Sequence, residues 1–459
     1  MPPNNQSAQP STGITTKQAA KVWAYIGLNS FGGPAGQIAV MHRELVERRR
    51  WLSERRFLHA LNYCMVLPGP EAQQLATYIG WLMHGVRGGV IAGSLFVIPG
   101  FIAMMVLSAV YAVYGSVGWI AGLLFGLQAA VVAIVVNAVV RIGSRTLRSW
   151  LLVAIAGASF VAIFFFNIPF PVIIIGAGLI GWLVGRRSHQ LVPLGGEHEP
   201  DEANLASVLL PDDEHVSRAQ TRQALRAAAI CLVIWLVPVA ALALVLGMDN
   251  VFTQEAVVFS KAAVLTFGGA YAVLGYVTQQ AVDHYGWIST KDMVTGLGLA
   301  ETTPGPLIMV VQFVGFLAAY NNPGSLPPLL AGVLGATITV WVTFVPCFLF
   351  IFLGAPWVEK LRDNQALRHA LTAIGASVTG VILNLAVWFA LNTAFGTVTQ
   401  YNVGPLHLWV PELDTIIWAS VAISVIAGVL VFRVKLGTLK VLAIAAGIGI
   451  ILALLGLTP

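Results

Sequence analysis

The sequence has 459 residues, of which 57% are hydrophobic and only 10% are charged, with a formal net charge of +5. A soluble protein carries roughly 25% charged residues, so this composition excludes a water-soluble globular domain. Apolar stretches of about twenty residues, the length that spans a bilayer, recur along most of the chain. We therefore predict a polytopic all-α membrane protein, whose basic residues report orientation rather than nucleic-acid binding.

The chain begins with a polar segment, residues 1–15, which is rich in Pro and Ser and predicts a disordered tail without a cleavable signal peptide. Three cysteines, Cys64, Cys231 and Cys347, are far apart in apolar sequence without CxxC or His/Cys spacing. We expect buried thiols, no disulfide and no metal site. The sequence also has no P-loop, HExxH or GxSxG motif, so we predict neither a cofactor nor an enzyme.

The first membrane repeat, residues 16–185, opens with two interrupted apolar units. The first unit, residues 16–50, is broken at Phe31-Gly32-Gly33-Pro34, and the second, residues 57–84, at Pro68-Gly69-Pro70. Two prolines flanking a glycine remove backbone donors and disfavour helix. Irregular backbone at membrane depth is tolerated only where it is buried in protein or lines a cavity. These breaks are therefore the predicted centre of the functional site.

Uninterrupted apolar segments follow, at about residues 90–114, 119–140, 150–166 and 171–184. A polar, acidic stretch, residues 186–223, predicts a cytoplasmic linker between two halves. One extra linking transmembrane helix lies in residues 224–250, and the second membrane repeat covers residues 251–459. The whole chain contains about 13 hydrophobic segments.

The second half repeats the motifs of the first in the same order. Phe267-Gly268-Gly269 matches Phe31-Gly32-Gly33 at an offset of 236, and the same offset pairs Trp51 with Trp287 and the triplet Pro304-Gly305-Pro306 with Pro68-Gly69-Pro70. After an insertion the offset becomes 247 and pairs Pro99 with Pro346. An ordered set of this kind indicates internal duplication.

Basic connections alternate with connections that lack Lys and Arg, as expected if every uninterrupted segment spans once, with a cytoplasmic N-terminus and a periplasmic C-terminus. Six arginines join the first two broken units (Arg43, Arg48, Arg49, Arg50, Arg55, Arg56). They favour a cytoplasmic connection between two re-entrant hairpins. The alternative is that the units span fully. Either way an odd number of crossings separates the repeats, which predicts inverted topology.

New half-helices are predicted to begin near Pro70 and Pro306. Their first N–H groups lack intrahelical partners and their dipole ends are positive, which suits an anion. The glycines of the neighbouring breaks would allow close backbone approach. The alternative is that all these residues are kinks and packing notches. The candidate substrate-binding residues are Gly32, Gly33, Pro68, Gly69, Pro70, Gly268, Gly269, Pro304, Gly305, Pro306 and Lys261.

Few ionisable residues lie within the apolar runs. Glu71 follows the first Pro-Gly-Pro triplet and Glu301 precedes the second, so the two are not repeat equivalents. A carboxylate at membrane depth is costly and usually functional, which makes both candidates for proton coupling. Glu71 could instead be a first-turn residue that the helix dipole favours. Lys261 could attract an anion or extend its amino group to the membrane interface.

From about residue 16 to its C-terminus, the chain resembles the chromate ion transporter family in its long, two-domain form. In the first half the resemblance rests on Phe31-Gly32-Gly33, Trp51-Leu52-Ser53, Leu67-Pro68-Gly69-Pro70 with Gly80, and Ile98-Pro99-Gly100. In the second half it rests on Phe267-Gly268-Gly269, Trp287-Ile288-Ser289, Thr303-Pro304-Gly305-Pro306 and Val345-Pro346. Leu307 stands where the first half has Glu71, so the two half-sites cannot be chemically symmetric.

The resemblance implies a bacterial inner-membrane protein that exports chromate, with sulfate as a competing analogue, at the expense of the proton gradient. Its expected partners are the oxyanion, the proton and the lipid bilayer, and a homo-oligomer is compatible with the sequence. Sulfate uptake by symport, an uncoupled anion channel, and a membrane enzyme or sensor are the alternatives. The absence of a catalytic motif disfavours the last.

Overall fold

The computed structural model describes residues 13–187, 218–267, 269–357 and 364–457. These residues are almost entirely helical, and six of the helices are long and apolar enough to cross a membrane, which confirms the all-α polytopic prediction. Most of the predicted tail and residues 188–217 of the predicted linker lie outside the described residues. The two ends of the predicted linker, 186–187 and 218–223, are helical.

The first half contains seven α-helices. They are α1 (Thr16–Asn29), α2 (Gly33–His42), α3 (Glu54–Cys64), α4 (Glu71–Tyr114), α5 (Gly118–Thr146), α6 (Trp150–Phe166) and α7 (Phe170–Arg187). A π-helix, Arg43–Arg48, continues from α2. The predicted breaks at Phe-Gly-Gly and Pro-Gly-Pro separate α1 from α2 and α3 from α4.

The linking helix α8 (Arg218–Leu246) leads into a second half with the same order of elements. It contains α9 (Val251–Leu265), α10 (Ala270–Thr278), α11 (Thr290–Thr302), α12 (Val310–Asn321), α13 (Pro328–Gly354), α14 (Gln365–Ala394), α15 (Trp418–Phe432) and α16 (Thr438–Leu454). A second π-helix, Gln279–His284, follows α10 at the offset of 236 that relates the repeats. A 3₁₀ turn, Leu307–Met309, precedes α12.

The long helix α4 joins two segments that the sequence treats separately. His84 and Gly85 leave helical geometry, and Gly85 has φ 61° and ψ −156°, a conformation that favours glycine. The first part of α4 is therefore the second arm of a broken unit, and the part after Gly85 is a separate transmembrane segment.

The broken units of the first half fold back on themselves. The rings of Tyr63 in α3 and Tyr78 in α4 lie 4.8 Å apart on opposite sides of the Pro-Gly-Pro break. His84 bonds the carbonyl oxygen of Ile14 over 2.9 Å, which brings the end of the second unit to the start of the first. His42, at the end of α2, bonds Glu54 at the start of α3. Each of these units therefore starts and finishes at the same end of the molecule, which is the geometry of a re-entrant hairpin.

The second half repeats this arrangement. A methyl group on Gly296 in α11 would contact the Phe313 ring in α12, across the second Pro-Gly-Pro break. Asn321, at the end of α12, donates to the carbonyl oxygen of Trp287, just before α11 begins. This unit also enters and leaves at one end.

Small residues bring the remaining helices together. A methyl group added to Gly126 in α5 would lie 2.1 Å from the carbonyl oxygen of Ala445 in α16, and one on Gly181 in α7 would lie 2.5 Å from Ala373 in α14. Close approach of this kind is the usual means of packing helices in membranes. Among the described residues, one antiparallel hairpin joins β1 (Val398–Val403) to β2 (Leu406–Pro411), within a connection for which no strand is predicted.

Candidate substrate site at the paired helix breaks

Each Pro-Gly-Pro break is hydrogen-bonded to the Phe-Gly-Gly break of the opposite repeat. The backbone N–H of Gly69 donates to the carbonyl oxygen of Thr266 over 2.7 Å, and that of Gly305 donates to Ser30 over 2.9 Å. Ser30 and Thr266 each precede a Phe-Gly-Gly sequence, and both bonds are related by the repeat offset of 236. The breaks that the sequence singles out are thus brought together in two matched junctions.

The glycine between the prolines is the donor because proline has no N–H. Gly69 has φ 128° and Gly305 has φ 89°, both in the region that favours glycine. A methyl group on Gly69 would lie 3.0 Å from the Cys347 sulfur, and one on Gly305 would lie 3.4 Å from Gly100. Gly100 and Cys347 are themselves related by the offset of 247. The two junctions are therefore packed by equivalent positions of α4 and α13.

The acceptors are matched as well. The hydroxyl of Ser30 donates to the carbonyl oxygen of Ile26 over 2.6 Å, and that of Thr266 donates to Ala262 over 2.7 Å. Both hydroxyls are therefore engaged by their own helices. The carbonyl groups of Ser30 and Thr266, free of intrahelical bonds where α1 and α9 end, receive the glycine N–H groups instead.

No contact among the described residues accounts for Gly32 and Gly33, and the prediction that they permit close backbone approach stays a prediction. No atom lies within 4 Å of a methyl group added to either residue. They are required instead for the positive φ angles, 82° and 70°, that start α2. Gly269 differs, since an added methyl would lie 3.4 Å from a carboxylate oxygen of Glu71. Gly268 lies outside the described residues.

Four half-helices begin at these junctions without a side-chain cap. They follow Gly32, Pro70, Gly269 and Pro306. Their first N–H groups have no intrahelical acceptor, and the helix dipole adds partial positive charge at each end. This is the arrangement that the sequence predicts for an anion site, with two further helix ends contributed by α2 and α10.

The two candidate carboxyl groups have different surroundings. Glu71 is the first residue of α4 and lies beside Gly269, where α10 begins. Glu301 is 3% exposed and accepts a hydrogen bond from the hydroxyl of Tyr271. Only Glu71 lies directly at a helix end.

Two amide side chains brace the Pro-Gly-Pro backbone. Gln37 donates to the carbonyl oxygen of Gly305 over 2.6 Å, and Gln74 donates to that of Pro68 over 2.6 Å. Lys261, by contrast, has an exposed side chain on α9 and makes no hydrogen bond or ion pair among the residues that the structure describes. Either sequence interpretation of Lys261 therefore remains open.

Sequence reasoning missed two further buried carboxyl groups. Glu44, in the first π-helix, is fully buried and is bound by Arg48 at 2.8 Å and Arg49 at 3.4 Å. The hydrogen bond and the charge of Glu44 raise the pKa of the Arg48 guanidinium. Glu255 is fully buried in α9. Its position within the apolar stretch 251–265 was a signal that could have identified it.

A cavity of about 290 Å³ lies away from the junctions, between α5, α14 and α15. Its lining is apolar apart from Ser424, so it offers no set of donors for an anion. Among the described residues, no group of three or more His, Cys, Asp or Glu side chains could hold a metal ion.

Comparison with known proteins identifies relatives along nearly the whole chain. The family model described as "Chromate transporter" matches residues 17–182 and 253–451. The chain is 32% identical over 456 residues to the "Chromate transport protein" of Pseudomonas aeruginosa, covering 94% of this chain and 98% of that protein. It is 27% identical over 373 residues to the "Probable chromate transport protein" of Synechococcus elongatus, covering 81% and 84%. No solved structure matches.

Proposed function

The chain belongs to the chromate transporter family, and we propose that it is a secondary active transporter that exports chromate across the bacterial inner membrane in exchange for protons. Sulfate, an oxyanion of the same shape and charge, is the proposed analogue. The observation that carries the proposal is the matched pair of junctions, at which four uncapped half-helices begin within hydrophobic sequence.

Backbone N–H groups at helix starts suit a tetrahedral oxyanion for two reasons. They donate hydrogen bonds to several oxygens at once, and the helix dipoles supply positive charge without a buried basic side chain. A site of this kind also releases its anion more readily than a cluster of arginines would, because it carries only partial charges. A carrier needs both properties.

The two junctions differ in a way that favours one of them as the substrate site. At the start of α10, the Glu71 carboxylate already lies beside Gly269. At the equivalent position, Leu307 carries no charge, and Gly32 and Gly33 face open space at the start of α2. We therefore place the oxyanion at the junction of the α2 start with the Pro304-Gly305-Pro306 break.

Glu71 and Glu301 are the proposed carriers of the coupling proton. For exchange, the site must move outward with the oxyanion bound and these carboxyl groups ionised, and return inward empty with the carboxyl groups protonated, so that each ion drives the return step of the other. Tyr271 fixes the orientation of the Glu301 carboxyl group.

The proposed orientation follows from the basic connections. The N-terminus and the arginine-rich connection at residues 43–56 face the cytoplasm, and the β-hairpin and the C-terminus face the periplasm. The hairpins of the first half then enter from the cytoplasm and those of the second half from the periplasm. Inverted hairpins meeting at midplane support alternating access.

The test is chromate uptake into inside-out membrane vesicles, with and without an imposed pH gradient, with sulfate as competitor. We expect uptake that depends on the gradient and is inhibited by sulfate. Uptake that ignores the gradient would indicate an uncoupled anion channel. Uptake only into right-side-out vesicles would indicate symport. Active vesicles without chromate transport would overturn the substrate assignment.

A further inference from the structure

The carboxyl group of Glu255 is buried in the second half and has no partner among the residues that the structure describes. Glu255 is 0% exposed, and neither of its carboxyl oxygens has a hydrogen-bond partner there. The hydroxyl of Thr339, on α13, is also fully buried and has no partner in the described part of the chain. An unpaired carboxylate in such surroundings costs several kcal/mol or more, so the group is stable only when it is neutral or when an ion neutralises it.

This carboxyl group lies where α12 crosses α13. A methyl group on Gly335 in α13 would lie 2.9 Å from Oε2 of Glu255 and 2.6 Å from the carbonyl oxygen of Gly315 in α12. A methyl group on Gly315 would lie 2.2 Å from the Thr339 hydroxyl oxygen. Two glycines thus leave room in the helix crossing for the carboxyl group of Glu255 and for the hydroxyl group of Thr339. The repeat equivalent of Glu255 is Ala19, so only the second half has this feature.

No charged side chain is available from the helices that pack on α9 at this level. The sequences of α10, α12 and α13 contain no Asp, Glu, Lys or Arg, and their titratable groups are Tyr271, Tyr276, Tyr320 and Cys347. On α8 the basic residues are Arg218, Arg222 and Arg226, at the end opposite to Glu255. On α9 itself Lys261 is exposed, and Asp249 lies just before the helix.

Glu255 lies close to one end of the molecule. It is four residues into α9, and Gly335 is seven residues into α13, which correspond to depths of roughly 6 and 10 Å. In the proposed orientation this end faces the periplasm. An exporter driven by proton entry needs a proton acceptor on that side. In that orientation Glu71 and Glu301, which are at the breaks, lie deeper in the membrane than Glu255.

We propose that Glu255 is a proton-binding site on the periplasmic entry path of the coupling proton, with Thr339 as a second polar group in the same helix crossing. Proton uptake converts the carboxylate to a neutral carboxylic acid, which its apolar surroundings favour. Proton release towards the breaks regenerates the carboxylate. This inference rests on the proposed proton-driven export.

The test compares Glu255→Gln, which is permanently neutral, with Glu412→Gln, which changes an exposed carboxyl group near β2. Two activities are measured in reconstituted vesicles: exchange of radiolabelled chromate at equal pH, and uptake driven by a pH gradient. We expect Glu255→Gln to retain exchange but to lose the gradient-driven component, and Glu412→Gln to retain both. Unchanged gradient-driven uptake in Glu255→Gln would overturn the proposal, and so would a Glu255-dependent component that requires sodium.

A wild-type measurement covers the case in which Glu255→Gln does not fold. Carbodiimides react with protonated carboxyl groups in apolar surroundings, and mass spectrometry locates the modified residue. Labelling of Glu255 that falls as the pH rises supports the site, and labelling that does not vary with pH overturns it. Wild-type vesicles without any gradient-driven chromate uptake would defeat the proposed function, whereas the labelling result would still report whether Glu255 binds a proton.

Discussion

The backbone N–H of Gly305 donates to the carbonyl oxygen of Ser30 over 2.9 Å, and its counterpart joins Gly69 to Thr266. Each bond crosses from one repeat to the other. Movement of one repeat against the other must therefore preserve or exchange these bonds. Because they lie where the half-helices begin, they couple the geometry of the proposed site to the relative position of the repeats.

Replacing Gly305 with alanine should destabilise the protein and impair transport. Its φ of 89° is unfavourable for alanine, and the added methyl would lie 3.2 Å from the Phe96 carbonyl oxygen. We expect a loss of about 1–3 kcal/mol in the free energy of unfolding. The measurement is thermal unfolding in detergent. Gly157→Ala in α6 is the control, since its methyl meets no atom within 4 Å. Equal stability of the two variants would contradict the prediction.

Leu307→Glu should weaken chromate binding. It places a carboxylate at the position where Glu71 stands in the other repeat, and this charge would compete with the oxyanion for the helix ends. We expect affinity to fall at least about tenfold, equivalent to about 1.4 kcal/mol. Leu307→Gln is the matched uncharged variant and should bind more tightly than Leu307→Glu. Isothermal titration with chromate measures both, and equal affinities would show that the oxyanion binds elsewhere.

Glu71→Gln and Glu301→Gln should each retain chromate binding but lose the coupling of transport to the proton gradient. A neutral side chain of the same size cannot release a proton, so exchange of chromate at equal pH should persist while the response to a pH gradient disappears. The measurement is the ratio of the two uptake rates in proteoliposomes. Full gradient-driven transport by both variants would remove these carboxyl groups from the coupling mechanism.

Tyr271→Phe should weaken coupling and stability together. It leaves the buried Glu301 carboxyl group without its hydroxyl donor, a change that costs about 1–3 kcal/mol. Tyr276→Phe is the control on the same helix, because its hydroxyl makes no such bond among the described residues. The midpoint of thermal unfolding and the gradient response are both measured. Equal behaviour of the two variants would show that the Tyr271 hydroxyl has no role.

Single cysteines should react from opposite sides of the membrane. The native Cys64, Cys231 and Cys347 are buried and should give little background with a membrane-impermeant maleimide. Gln400→Cys, on β1, should be labelled in intact spheroplasts. Arg55→Cys, in the connection between the first two broken units, should be labelled only in inside-out vesicles. Labelling of both from the same side would refute the proposed topology.

The sequence was informative where its signal was local. Pro-Gly-Pro and Phe-Gly-Gly interrupt helices because of backbone chemistry alone, and the structure has its breaks at those residues. The partners of the breaks depend on tertiary contacts. Nothing in the sequence near Gly69 indicates that Thr266 accepts its N–H, or that Glu71 lies beside Gly269.

Other omissions have similar causes. The hydrogen bond between Tyr271 and Glu301 joins two helices and has no sequence signature. Glu44 lies in an arginine-rich connection, and the π-helix that contains it is not predicted by sequence periodicity. The hairpin of β1 and β2 lies in a stretch that was interpreted only through its lack of basic residues.

The hydrogen bonds that cross from one repeat to the other also bear on how a duplicated protein of this kind could have arisen. In a chain with a single repeat, the N–H of the Pro-Gly-Pro glycine would lack an acceptor, and the carbonyl oxygen before Phe-Gly-Gly would lack a donor. Both groups lie at a depth where water cannot replace the missing partner. A second copy inserted in the opposite sense would satisfy both groups. A single-repeat ancestor of this kind would therefore have to pair with a second copy in the membrane before these groups are satisfied.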